Sequence, residues 1–135
     1  MIKLKRQNNK YSVITTERLV LREWTLNDVD DLIAGLNNYG VAKNLTIPFP
    51  YTEAHARYFI RERIACPNDA KVLFFAAELK NSGKIIGGTS ISVNANNVAE
   101  GGVWVNADYH GKGYGTEIFR VREVCFNSVY LGNMI

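Results

Sequence analysis

Asp108-Tyr109-His110-Gly111-Lys112-Gly113-Tyr114-Gly115-Thr116-Glu117 decides how this chain is read. Three glycines at alternate positions stand between a β-leaning run, Ala99 to Asn106, and a helical pattern in which Ile118, Val121, Cys125 and Val129 share a face. Without a Cβ the backbone turns tightly and aims successive N–H groups at one place. A helix start adds orphan donors and the positive end of the dipole, so a phosphate or pyrophosphate is the natural guest. Lys112 would add a charge and Thr116 a hydroxyl. On composition alone, a glycine-rich turn that holds nothing is the other reading. Two nucleotide loops do not fit. A Walker loop needs Ser or Thr directly after the lysine, where Gly113 stands. A dinucleotide fingerprint needs glycine in place of Thr116 and an acid about 20 residues further on, and the sequence given ends first.

Upstream of the loop, Val72 to Leu79 and Lys84 to Val93 are apolar runs joined by Asn81-Ser82-Gly83, a hairpin signal. Asn94 to Asn97 makes a second turn, and Ala99 to Asn106 completes a meander. Arg18 to Glu23 alternates as a first strand. Thr25 reads as an N-cap with Asp28 at the third helical position, and Leu26, Val29, Ile33 and Leu36 predict a helix over 26–36, stopped by Asn37, Asn38 and Gly40. Pro48 and Pro50 hold 47–50 extended. Thr52 caps a second helix running to about Ile64, and Gly132 stops the last one. Strand, two helices, three strands, glycine loop and helix make an α/β (α+β) domain.

At 135 residues the chain is one domain, and 47% hydrophobic with 21% charged residues fits a globular protein rather than a disordered or fibrous one. The longest charge-free stretch, Ile85 to Ala99, is broken by Thr89, Ser90, Ser92 and three asparagines, so no membrane span is expected. Lys3, Lys5, Arg6 and Lys10 supply four of the 16 basic residues and no acid lies among them. They predict a basic tail or extra strand over 1–14. The rest carries 12 basic and 13 acidic side chains, too balanced for the basic stripe that nucleic acid requires. No secretory signal follows the basic start. Cys66 and Cys125, without a CxxC, read as reduced thiols of a cytoplasmic protein, and neither they nor His55 and His110 suggest a metal site.

His110-Gly111-Lys112-Gly113-Tyr114-Gly115 resembles the acetyl-CoA pyrophosphate loop of the GNAT N-acetyltransferases, whose pattern is Arg/Gln-x-x-Gly-x-Gly/Ala. Ala99-Glu100-Gly101-Gly102-Val103-Trp104-Val105 resembles the strand before that loop, and Thr16-Glu17-Arg18-Leu19-Val20-Leu21-Arg22 the family's opening strand. Pro50-Tyr51-Thr52-Glu53 and Gly83-Lys84-Ile85-Ile86-Gly87 are similar to segments of the branch holding the ribosomal-protein alanine acetyltransferases (RimJ/RimL-like). The resemblance covers 15–135. It implies a mixed, mostly antiparallel sheet flanked by helices, lacking the family's usual C-terminal strands. It also implies acetyl-CoA as co-substrate: the strand matching Val103, Trp104 and Val105 bonds the pantetheine arm, the loop from His110 through Gly111, Lys112, Gly113, Tyr114 and Gly115 bonds the pyrophosphate, and Thr116 reaches the same phosphates. His110 stands where the family usually has Arg or Gln. The side chains of Trp104 and Tyr109 are expected to pack.

The implied reaction is attack by a neutral primary amine, on a protein N-terminus or a small molecule, on a thioester carbonyl. Deprotonating a lysine-type amine at pH 7 costs about 4.6 kcal/mol, and an α-amine about 1 kcal/mol. Glu100, the acid of the strand run, matches a family glutamate proposed to act as a base through water; a solvated strand-start carboxylate is its other reading. Asp28, Asp30 and Asp31 read as dipole partners, Asp108 as a turn cap, His55 as exposed and Cys125 as core. Leu131 to Ile135 reads as the entry to a further strand. Without that strand, Ala99 to Asn106 is an open edge on which a second copy would pair. The loop Asn37 to Tyr51 is expected to shape the acceptor pocket. The alternatives are a non-catalytic CoA-binding or dimerising remnant, and an interaction module whose loop binds nothing.

Overall fold

Residues 2–7, 10–69, 71–96 and 98–134 are described by a computed structural model, with the backbone alone for 3–7, 10–12, 99 and 126–134. Seven strands form one antiparallel sheet: β1 (Lys3–Gln7), β2 (Lys10–Thr15), β3 (Leu19–Arg22), β4 (Val72–Leu79), β5 (Ile85–Val93), β6 (Ala99–Glu100) and β7 (Val103–Val105). The order runs β1 to β5, and the far edge of β5 carries β6 against Ser92 and Val93 and β7 against Gly87, Gly88 and Thr89. Between β3 and β4 lie α1 (Val29–Leu36), α2 (Tyr39–Ala42) and α3 (Glu53–Ala65), and after β7 comes α4 (Tyr114–Met134).

The central strands are apolar on both faces because both faces are covered. Leu73, Phe75, Ala77 and Ile86 pack with Ile118, Val121 and Cys125 of α4. Ala76 and Ile85 pack on the opposite side with Val29, Leu32, Ala56 and Ile60 of α1 and α3. Polar ties fix the helices on the sheet. Asp28 takes both guanidinium nitrogens of Arg22 at 2.8 Å and the Thr25 N–H at 2.9 Å, closing the turn from β3 into α1. Asp31 accepts from the Ile85 N–H at 2.9 Å, binding α1 to the start of β5. Both acids are thus tertiary anchors, beyond the dipole role expected of them.

Several boundaries differ from expectation. The helix predicted over 26–36 begins as a single 3₁₀ turn, Leu26–Asp28, before α1. Asn38, expected to stop it, caps α2 instead, its Oδ1 accepting from the Val41 N–H at 3.3 Å. Of the two expectations for 1–14, a basic tail or an extra strand, the described residues take the second, as strands β1 and β2 paired antiparallel. The strand expected over 99–106 is interrupted at Gly101 and Gly102, yet β6 and β7 keep one register on β5, so no residue is inserted. Gly101 has φ +132°, and a Cβ there would lie 2.0 Å from the Ser90 carbonyl oxygen. Helix α4 runs through Gly132 to Met134, so 131–134 is not the entry to a strand; a mid-helix glycine costs only about 1 kcal/mol. Among the described residues no helix is long and apolar enough to cross a membrane.

Candidate functional site

The register of β7 determines which backbone groups are free. Gly102 O accepts from the Ser90 N–H at 3.1 Å and the Asn106 N–H donates to Ile86 O at 2.7 Å, so residues 102, 104 and 106 face β5. By the alternation of an antiparallel ladder, Val103 and Val105 present their backbone groups outward. The Val105 carbonyl accepts from His110 Nε2 at 2.6 Å, so that ring nitrogen carries the proton. Among the described residues the Val103 N–H and C=O and the Val105 N–H meet no partner.

Buried Asn106 then starts the loop, its Oδ1 accepting from the Asp108 N–H at 2.9 Å. Asn106 is therefore the cap, and the Asp108 side chain, expected in that role, is exposed. Gly111 and Gly113 take φ +75° and +84°, the left-handed region that disfavours a side chain. Helix α4 begins at Tyr114, placing Gly115 and Thr116 in its first turn. Among the described residues, none of the amides from 111 to 116 donates to a protein group; the first one engaged is Glu117, to Gly113 O at 3.0 Å. Eight of the ten expected donor-side residues, Val103, Val105, His110, Gly111, Gly113, Tyr114, Gly115 and Thr116, line one open groove of 390 Å³. Tyr109, expected only to pack, lines it too, with the ammonium groups of Lys84 and Lys112 5.6 and 5.7 Å from its ring.

The other two expected residues lie apart. Lys112 is exposed, and its carbonyl accepts from Arg18 Nη1 at 2.9 Å. Trp104 turns its backbone to β5 and its indole away from the groove, stacked on Trp24 at 6.4 Å. A Cβ on Gly35 or Gly88 would approach that indole to 2.3 or 2.7 Å.

A latch that local sequence could not disclose holds the loop from behind. Glu117 accepts from the Arg18 N–H at 2.9 Å, from Arg18 Nε at 2.7 Å and from the Thr16 hydroxyl at 2.5 Å. The Arg18 guanidinium lies 4.0 Å over the Tyr114 ring. Burial pushes the Glu117 carboxyl up, but these three donors outweigh it and hold the group below its ordinary value. The carboxylate in turn raises Arg18.

On the opposite face of β7 is a second cavity, of 440 Å³. Trp24, Leu32, Leu36, Tyr51, Phe59, Phe74 and Trp104 form most of its wall, Asn44, Leu45, Thr46 and Ile47 its loop side, and Thr89, Ser90, Gly101 and Gly102 its sheet side. Residues 44–47 and Tyr51, from the segment expected to shape an acceptor pocket, thus border a cavity, and among the described residues no charged side chain lines it. Burial pushes the Tyr51 hydroxyl up to about 12. Glu100 lines neither cavity: it is exposed and accepts from Asn94 Nδ2 at 2.9 Å, one residue before Gly101. His55, half-buried rather than exposed, caps α3 reciprocally with Thr52, its Nδ1 accepting from the Thr52 N–H at 3.1 Å. Cys125 is buried core, its thiol pushed up to about 12.

Comparisons with known proteins agree with this fold. The fold is that of an acetyltransferase (GNAT family) from Bacillus anthracis, 19% identical with TM-score 0.69, over 89% of this chain and 68% of that one. RimL, a ribosomal L7/L12 alpha-N-protein acetyltransferase, is 15% identical with TM-score 0.69, over 96% of this chain and 72% of its own. The microcin C7 self immunity acetyltransferase MccE, solved with acetyl-CoA and AMP, is 21% identical with TM-score 0.61, over 77% of this chain and 59% of its own. Compared by sequence with curated proteins, the chain matches none. The family model described as an acetyltransferase (GNAT) domain matches residues 18–131, and the chain belongs to that family.

Proposed function

We propose that the protein transfers an acetyl group from acetyl-CoA to a primary amine, a protein N-terminus or a small molecule, by direct attack. The observation that carries this reading is the run of unengaged amides from 111 to 116 beside the outward backbone of Val103 and Val105. Orphan N–H groups at a helix start suit a diphosphate. The free Val103 N–H and C=O and Val105 N–H would hold the amide groups of the pantetheine arm as a neighbouring strand would. His110 keeps the Val105 carbonyl engaged and so orients that strip. Bound acetyl-CoA supplies the thioester carbonyl that the amine attacks. β7 is the wall shared by both cavities, which supports an amine arriving from the aromatic side near Gly101 and Gly102. Glu100, beside that end, would take the amine proton through water, and the setting is cytoplasmic.

The exposed position of Glu100 and its bond to Asn94 favour a second reading, a CoA-binding protein without turnover. A copy of this chain pairing along β7 would compete with the pantetheine arm for the same backbone groups. Calorimetric titration with CoA tests the shared part, since absence of binding ends both readings. Thiol release from acetyl-CoA with a panel of amines separates them.

A further inference from the structure

Resting on the transferase reading, we infer that the aromatic cavity selects a primary amine on an apolar, aromatic or aliphatic body, and rejects polycationic acceptors. Trp24 meets Phe59 edge-on at 5.7 Å, and Phe59 meets Phe74 edge-on at 6.0 Å, giving a continuous aromatic wall. The polar groups on the remaining sides, Asn44, Thr46, Thr89 and Ser90, are uncharged. A second ammonium group of a polyamine would lose its water there without gaining a counter-charge, which is costly. The wall is not a free cation cage either. Arg63 already lies 4.0 Å over the Phe74 ring and 5.3 Å from Phe59, so a positive charge is present on those rings and repels another. The one nitrogen that must enter is better neutral: an uncharged surround lowers an amine's pKa, and the neutral form is the nucleophile. An apolar body adds the favourable burial of its own surface against the rings.

Both of the chain's two tryptophans line this cavity, so its intrinsic fluorescence reports on it directly. The full chain, saturated with CoA, is titrated with 2-phenylethylamine and with spermidine. Saturable quenching at least about tenfold tighter for 2-phenylethylamine is expected, and the same order in kcat/KM for thiol release from acetyl-CoA. Equal or tighter binding of spermidine overturns the inference, as does no saturable binding of 2-phenylethylamine. Because quenching does not require turnover, the selectivity is read even if thiol release is nil, an outcome that counts against the transferase reading alone. In Leu45→Glu, a carboxylate on the loop side should shift the ratio toward spermidine by about tenfold, with the heat of CoA binding showing the donor groove intact. An unshifted ratio also overturns it.

Discussion

At Gly101 and Gly113 the backbone requires glycine, for different reasons. Gly101→Ala meets both a left-handed φ and the Ser90 carbonyl, so we expect a loss of about 2 kcal/mol or more, measured by urea unfolding. Gly113→Ala meets the φ cost with Arg18 Nη2 only 3.4 Å from the new Cβ. It should lose about 1–2 kcal/mol and bind CoA about tenfold more weakly by calorimetry. Gly111→Ala, with nothing within 4 Å, should show the φ cost alone. The loop glycines were legible because alternate glycines before a helix are a local signal. The role of Gly101 was not: its φ and its conflict with Ser90 arise only once β5 and β6 are paired. Gly35 and Gly88, which make room for Trp104, were equally silent in sequence.

Between elements, Thr16 and Arg18, at the entry to β3, grip Glu117 in the first turn of α4. Glu117→Gln should weaken the latch and let the loop drift, raising KM for acetyl-CoA several-fold while kcat changes little, with steady-state kinetics as the readout. Arg18→Ala should act the same way, and the double variant should be no worse than either single one, since partners in one network are not additive. The acid limb of stability follows from the same groups. Glu117 and Asp28 are held below their ordinary values of 4.5 and 3.8. Each therefore contributes stability above its ordinary value and loses it as pH falls through the depressed folded value. Thermal stability should fall progressively below pH 4.5, and Glu117→Gln should flatten the upper part of that decline. Both latch residues stood inside recognised motifs, but a pair 99 positions apart cannot be read from either motif alone. By contrast α3 and the β4–β5 hairpin were placed to within a residue or two, because Thr52, Pro67 and Asn81-Ser82-Gly83 mark their ends locally.

Over the whole molecule, a ligand bound only by the folded chain adds to its stability. CoA at 100 times its Kd should add about 2.7 kcal/mol, raising Tm by about 10 °C for a chain of this size. A shift near zero at that concentration would contradict the donor groove. Sedimentation with and without CoA should show no tightening of self-association on binding, since on the proposed reading pantetheine and a second copy would compete for the outer side of β7. The meander from β4 onward was legible from hydrophobic runs and turns, but the pairing of β3 with β4 was not. Strand structure over 1–14 was legible only as an alternative to a tail, because clustered lysines mask a short strand's alternation. Trp104 gives β7 one further property. Its indole occupies the space that side chains on Gly35 and Gly88 would fill, so it works as a dowel, and the strand cannot slide along β5 without withdrawing it. On the proposed reading the distance between donor and acceptor chambers would thereby be indexed, and replacements in the 44–47 segment would retune what is acetylated while the coenzyme's berth keeps its calibration.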